Sequence, residues 1–283
     1  MFNCCSVIRL GSMLPWNRNL GLPDMQTFII NLAKDTERRR FMARQMDKLK
    51  LEHEFFSAVV GEDLSPVELR RSYKHSKAMR TQCRDLTPSE IGCALSHIGV
   101  YRLILERRLP MALVLEDDTF LSDGINAVLD CLQECMHSEH PMLTLLSPVH
   151  ETKGVARALG SNHQMFPFSR GFSTIGYVIT EAGARALAKF LYPVGDVADC
   201  WRRLQRHGVI DLYAVTPPLA LYDYEVFGST TNTDIEKWLK SRAWWWKCPF
   251  KARRAFWLGV DQVLAFFDRH FRPYAGLDFK RER

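Results

Sequence analysis

The chain predicts an α/β fold with a mostly parallel central sheet, and three observations carry that expectation. Short, almost wholly apolar runs alternate with segments of helical periodicity, the pattern of strands buried on both faces by crossover helices. One such run, Met111-Ala112-Leu113-Val114-Leu115, passes directly into Glu116-Asp117-Asp118. Thr87-Pro88-Ser89-Glu90 is a helix start, with Thr as cap, Pro at the first helical position and Glu three residues on to complete a capping box.

Taken in order, the first 24 residues read as an irregular lead-in. Thr27 to Leu32 reads as a buried strand, Asp35 to Leu49 as a helix whose apolar stripe is Phe41, Met42, Met46 and Leu49, and Glu54 to Val60 as a second strand. Residues Arg70 to Arg84, rich in Arg and Lys, read as an irregular insertion. The capped helix then runs to Arg108 on Ile91, Ala94, Leu95, Ile98, Tyr101 and Leu105. After the acidic triplet come a helix (Gly124 to Met136), a strand (Met142 to Leu146) and a looser region to Phe168. Ser173 to Thr180 reads as a strand, Glu181 to Tyr192 and Ala198 to His207 as helices, and Leu212 to Val215 as a last strand. The expected organisation is a lead-in (1–24), one catalytic-type unit (25–236) and a tail (237–283).

At 283 residues with 47% hydrophobic and 25% charged content, the composition is that of a globular protein without repeats or low-complexity tracts. From Trp238 to Arg283 there are eleven Lys or Arg against four acids, so this tail carries +7 and the remainder is near −1. The tail also holds Trp244-Trp245-Trp246, and Trp257, Val260, Val263, Leu264 and Phe267 keep helical spacing. An amphipathic helix on an anionic membrane surface is the expected use, with packing on the body as the alternative and nucleic acid disfavoured. The eight scattered cysteines make no disulfide framework. No apolar run is long enough to span a bilayer or to serve as a signal peptide, so cytoplasmic residence is expected.

Three adjacent carboxylates at a strand end repel one another unless solvated, hydrogen-bonded or bound to a cation. In open α/β sheets that end is where ligands bind. A hard divalent ion, Mn²⁺ or Mg²⁺, would satisfy them and neutralise a diphosphate leaving group; a solvated acidic loop, or Asp118 capping the next helix, is the plainer reading.

Several segments, in order, resemble glycosyltransferase family 25, the bacterial lipooligosaccharide galactosyltransferases. They are Ile30-Asn31-Leu32 with Glu37-Arg38-Arg39 and Phe41, then Glu90-Ile91-Gly92-Cys93-Ala94-Leu95-Ser96-His97, then Leu113-Val114-Leu115-Glu116-Asp117-Asp118. Gly176-Tyr177-Val178-Ile179-Thr180 with Gly183-Ala184, Ala198-Asp199-Cys200-Trp201 and Thr216-Pro217-Pro218-Leu219 complete the series. Two departures stand out: Ser173 sits where the family often has glycine, and Cys200 where a second acid is common.

The resemblance implies a GT-A-like nucleotide-sugar transferase fold, a UDP-sugar donor, inversion at the anomeric carbon, and a lipid-linked oligosaccharide acceptor met at the inner face of the inner membrane. UDP-galactose is the first expectation, with UDP-glucose or a UDP-N-acetylhexosamine next and a non-catalytic binding protein as the other class. Asp118 is expected to ligate the metal with Glu116 assisting, and Asp117 to orient donor hydroxyls. Asn31 is expected at the uracil or ribose, Arg38 and Arg39 at the diphosphate, and Gly176 and Tyr177 along the pocket. Asp199 is the first candidate base and His97 the second. Glu90 is a further catalytic candidate whose capping-box role is the plainer reading.

Overall fold

The computed structural model describes residues 25–222. The lead-in (1–24) and the basic, aromatic tail (237–283) lie outside the described residues, as do residues 223–236.

Strand β1 (Gln26–Asn31) is followed by helix α1 (Thr36–Leu49), which buries Met42, Met46 and Leu49 as its stripe requires and ends at Lys50 in the left-handed region. Strand β2 (His53–Ser57) leads through a 3₁₀ turn (Gly61–Asp63) to α2 (Pro66–Ser72), α3 (His75–Thr81) and α4 (Pro88–Glu106). The Thr87–Glu90 capping box on α4 is present in both directions. Then come β3 (Met111–Glu116), β4 (Thr119–Leu121), α5 (Ile125–Cys135) and β5 (Met142–Leu145). An excursion of β6 (Val149–Thr152), β7 (Arg157–Leu159) and β8 (His163–Gly171) precedes β9 (Gly176–Thr180), α6 (Glu181–Leu191), α7 (Trp201–Arg206), β10 (Asp211–Thr216) and β11 (Ala220–Tyr222).

The main sheet has the order β2-β1-β3-β9-β5-β10-β8-β6, with β7 also on β8, and β11 and β4 form a separate pair. Seven of the nine strands point one way, and β9 and β8 run against them. The sheet is therefore mostly parallel in strand direction. Because the reversed strands sit between the others, only three neighbouring pairs are parallel, β1 with β2, β1 with β3 and β5 with β10.

Both faces are covered. Phe28, Ile98, Tyr101, Leu187 and Trp201 belong to one core, on the side of α4 and α6. Ile29, Met42, Met46, Leu132 and Val178 belong to the other, on the side of α1 and α5. No described helix is long and apolar enough to cross a membrane.

Four expectations need correction. The Arg/Lys-rich insertion is largely helical, in α2 and α3, and Ser65 caps α2 with Glu68 in a second capping box. The looser region before Phe168 is strand, β6 to β8. β6 and β7 are short, largely polar edge strands, the β6–β8 pairing is irregular, and Pro167 sits inside β8, so neither alternation nor composition marked them. The strand expected from Ser173 begins only at Gly176, because Ser173 takes φ +77°. The helix expected from Ala198 begins at Trp201, leaving Asp199 in the approach to it rather than in its first turn.

Candidate active site

The C-terminal ends of β1 and β3 and the start of the reversed β9 open onto one cleft of about 840 Å³, a volume suited to a small organic ligand. Arg38, Glu90, His97, Glu116, Asp117, Asp118 and Asp199 all line it.

The acidic triplet is held from several directions. Glu116 ends β3, where its N–H donates to Ile175 O, and Thr119 Oγ1 is 2.8 Å from Glu116 O and 2.7 Å from Ile175 O. The turn is thus tied to the segment entering β9. Asp117 Oδ2 accepts from Asn31 Nδ2 at 2.7 Å, and Oδ1 from Arg38 Nη1 at 3.0 Å. The same Nη1 donates to Asp118 Oδ2 at 3.2 Å. Glu116 Oε1 accepts a short hydrogen bond from Thr174 Oγ1 and faces His97 Nε2 at 3.4 Å.

These contacts divide the charges. Burial pushes the Asp118 carboxyl up, and Glu116 pushes it further, to about 7, against the pull of Arg38. Burial also raises Asp117, with Asn31 and Arg38 opposing. Burial acts on Glu116 in the same direction, yet the hydrogen bonds and charge of His97, Thr174 and Arg38 carry it below the usual carboxylate range.

Asp118 Oδ1 is buried with no hydrogen-bond partner among the described residues. An orphaned carboxylate oxygen among other acids suits a hard cation. Glu116 Oε2 also takes no protein hydrogen bond among the described residues. Asp118 and Glu116, the two residues expected as metal ligands, thus each keep a carboxylate oxygen with which a divalent ion could be held.

Asp199 stands across the cleft. Its Oδ2 accepts from Ser173 N at 3.0 Å, and Trp201 Nε1 donates to Ser173 O at 3.2 Å, so residues 199–201 clamp both sides of Ser173. Ser173 keeps a conformation that favours glycine, the residue the resemblance leads one to expect there. Burial raises the Asp199 carboxyl, with the Ser173 N–H opposing.

Four expected residues play other parts. Arg39 is exposed and lies over the Phe55 ring, 4.0 Å from its centroid; one position along α1 turns it away from the triplet that Arg38 reaches. Gly176 and Tyr177 are buried behind the cleft wall. A Cβ on Gly176 would meet Ala220 Cβ at 2.8 Å, and Tyr177 Oη contacts His97 Nδ1 at 2.8 Å. Both support the site from behind. Glu90 reaches the cleft with its oxygens engaged, one accepting from Arg84 Nη2 at 2.5 Å and the other from Arg84 Nη1 and Thr87 N. It anchors α4 and is no candidate base.

The sequence reasoning missed Thr174, Arg84 and Cys93. Cys93 was legible, four residues before His97 and so on the same helical face. Thr174 was not, because its contact with Glu116 depends on β9 running backwards.

Residues 24–201 match the profile of glycosyltransferase family 25 (LPS biosynthesis protein). The chain is 36% identical over 94 residues to a glycosyltransferase 25 family member of Drosophila melanogaster, covering 32% of this chain and 15% of that one. It is 27% identical over 181 residues to procollagen galactosyltransferase 1-A of Xenopus laevis, covering 57% of this chain and 28% of that one. A Haemophilus influenzae protein named as a glycosyltransferase is 23% identical over 167 residues, covering 58% and 57%. The chain thus spans less than a third of these animal relatives and just over half of the bacterial one. With the profile match covering more than half of its length and the acidic cleft in place, the chain belongs to glycosyltransferase family 25.

Proposed function

We propose that this chain transfers galactose from UDP-galactose, with inversion, to a glycan acceptor of lipooligosaccharide type. One observation carries the reading: the partnerless Asp118 oxygen lies with Glu116, Asp117 and Arg38 in the same cleft as Asp199. The galactosyl donor is supported by the relatives named as procollagen galactosyltransferases, and the acceptor class by the family's description.

In this reading the acceptor oxygen bonds to the anomeric carbon as that carbon's bond to the diphosphate oxygen breaks, and the acceptor's proton passes to Asp199. Asp199 Oδ1 takes no hydrogen bond among the described residues, and its raised affinity for protons suits a base that must accept one. Asp118 and Glu116 would hold Mn²⁺ or Mg²⁺, which when bound would supply charge neutralisation for the departing UDP. Arg38, already shared between two carboxylates, has the planar fork to meet a diphosphate oxygen. Asn31 fixes Asp117, so that carboxylate is set before the donor arrives. In this reading the basic, aromatic tail meets the membrane surface at the inner leaflet, a role its composition and spacing support.

The test is a screen of UDP-sugars for Mn²⁺-dependent hydrolysis by the native chain and by Asp118→Ala. UDP-galactose turnover that the variant loses is the expected result. Preference for UDP-glucose or a UDP-N-acetylhexosamine overturns the donor assignment alone. No binding or turnover of any UDP-sugar with metal present overturns the enzyme reading and leaves a binding protein of the same fold. For the tail, a chain ending at Lys237 is expected to lose liposome binding and keep hydrolysis; unchanged binding removes the membrane role.

A further inference from the structure

On the cleft wall, α4 and β3 bring together three unlike ligand atoms. Cys93 and His97 stand four residues apart on α4, and Glu116 ends the neighbouring β3. Cys93 Sγ, a ring nitrogen of His97 and a carboxylate oxygen of Glu116 all lie within 4.8 Å of one another. All three residues line the cleft. Thiol, imidazole and carboxylate form a set that zinc takes, whereas a carboxylate donor such as Asp118 suits manganese or magnesium.

The histidine is oriented for this role. Tyr177 Oη donates to Tyr101 Oη at 3.1 Å, so its oxygen is free to accept from His97 Nδ1–H at 2.8 Å. That leaves Nε2 directed at Glu116 Oε1, 3.4 Å away. An imidazole lone pair and a carboxylate oxygen facing each other need a proton or a cation between them. Ligating histidines characteristically donate their other N–H to such an outer partner.

We infer that Cys93 Sγ, His97 Nε2 and the Glu116 carboxylate form a site for a thiophilic divalent ion, Zn²⁺ above others, with its fourth position open to the cleft. Zinc bond lengths of about 2.0–2.3 Å place tetrahedral ligands roughly 3.5 Å apart. His97 Nε2 and Glu116 Oε1 already stand at that spacing, so the remaining closure, about 1 Å, is toward Cys93 Sγ. Coordination forms a metal–thiolate bond and releases the Cys93 proton to solvent. Given the donor site proposed above, Zn²⁺ here draws Glu116 away from it and so opposes donor binding.

The test uses Co²⁺ as a spectroscopic probe on the full chain, a readout that needs no transferase activity. The native chain is expected to develop thiolate-to-cobalt absorption with tetrahedral d–d bands, bleached by one equivalent of Zn²⁺. Cys93→Ser is expected to lose the thiolate band while still binding a UDP-sugar, and Asp118→Ala to keep the band. Tyr177→Phe is expected to weaken metal affinity by about tenfold or more. Absence of a thiolate band in the native chain, or a band unchanged in Cys93→Ser, overturns the site. Should circular dichroism show Cys93→Ser unfolded, Glu116→Gln decides: at least a tenfold loss of Zn²⁺ affinity supports the site, and unchanged affinity overturns it.

Discussion

Asn31 Nδ2 lies 2.7 Å from Asp117 Oδ2 and joins the last residue of β1 to the first acid beyond β3. Its second hydrogen bond, to Asp35 O at 3.2 Å, ties the same amide to the turn entering α1. Two parallel strands and a helix entrance are thus aligned through one side chain before any ligand binds.

Replacing Asn31 with Ala leaves Asp117 Oδ2 without its donor in a buried setting. Stability is expected to fall by about 1–3 kcal/mol, read from urea unfolding. UDP-sugar affinity, measured calorimetrically, is expected to fall about tenfold. Full affinity in a destabilised variant would show that the orientation of Asp117 does not matter to the donor.

Arg38 is the cation shared by Asp117 and Asp118. Arg38→Ala is expected to lower kcat/KM for the UDP-sugar by about a hundredfold, because it removes the counter-charge and, in the proposed reading, the contact with the diphosphate. Arg38→Lys keeps charge and loses the fork, so an intermediate loss is expected in steady-state assays. A Lys variant as active as the native chain would reduce the role to charge alone.

Asp199→Asn keeps an oxygen able to accept from Ser173 N, so its thermal midpoint is expected to stay near the native value. Its kcat is expected to fall by about 10²–10⁴-fold, the usual worth of a general base. The sign of the pH effect follows from burial, which raises the Asp199 carboxyl above its ordinary 3.8. A base with a raised pKa loses activity as pH falls through that value, so the acid limb of kcat lies above the ordinary carboxylate range. That limb is expected to vanish in the Asn variant, and its persistence would assign the proton to another group.

Gly92 has the floor of the cleft against it: an added Cβ would lie 2.5 Å from Val59 O and 2.8 Å from Gly61 N. Both neighbours are backbone and cannot step aside as a flexible side chain would. Gly92→Ala is expected to cost about 1–3 kcal/mol by overpacking and to push back the 59–62 loop that lines the cleft. Chemical denaturation paired with UDP-sugar binding checks this; a variant with native stability would show the contact to be soft.

Much of this architecture was readable because local chemistry and tertiary demand agreed. The stripe of α1, the capping box at Thr87 and the apolar β3 running into carboxylates each carry their own signal. Ser65-Pro66-Val67-Glu68 repeats the cap pattern of Thr87-Pro88-Ser89-Glu90, so α2 was equally legible, although the surrounding Arg and Lys masked it. The strands β6 to β8 were not, since the short polar edges β6 and β7 and the proline inside β8 break the buried-strand signature. At the site, the grouping of Asn31 with the triplet followed from strand ends, whereas Arg38 on α1 was expected there from the family resemblance alone. The separation of Arg38 from Arg39 followed from helix rotation, which a paired motif does not express. The role of Ser173 and Thr174 required the reversed β9, a matter of topology alone.

The excursion from Ser147 to Ile175 leaves β5 and returns to β9 at one point, where Leu146 N donates to Gly176 O at 2.9 Å. Because its ends are pinned together, extending its exposed stretches costs little closure entropy, about 0.6 kcal/mol for each doubling of length. Its inner residues are another matter: Met165 and Phe168 are buried in the two cores. The excursion therefore behaves as a cassette anchored by its buried side chains, Leu159 and Ile175 among them, and its exposed Phe172 lines the same cleft as the acidic triplet. Lengthening or rewriting its exposed stretches would reshape the rim of the cleft at Phe172 without moving the strand ends that hold Asp117 and Asp118.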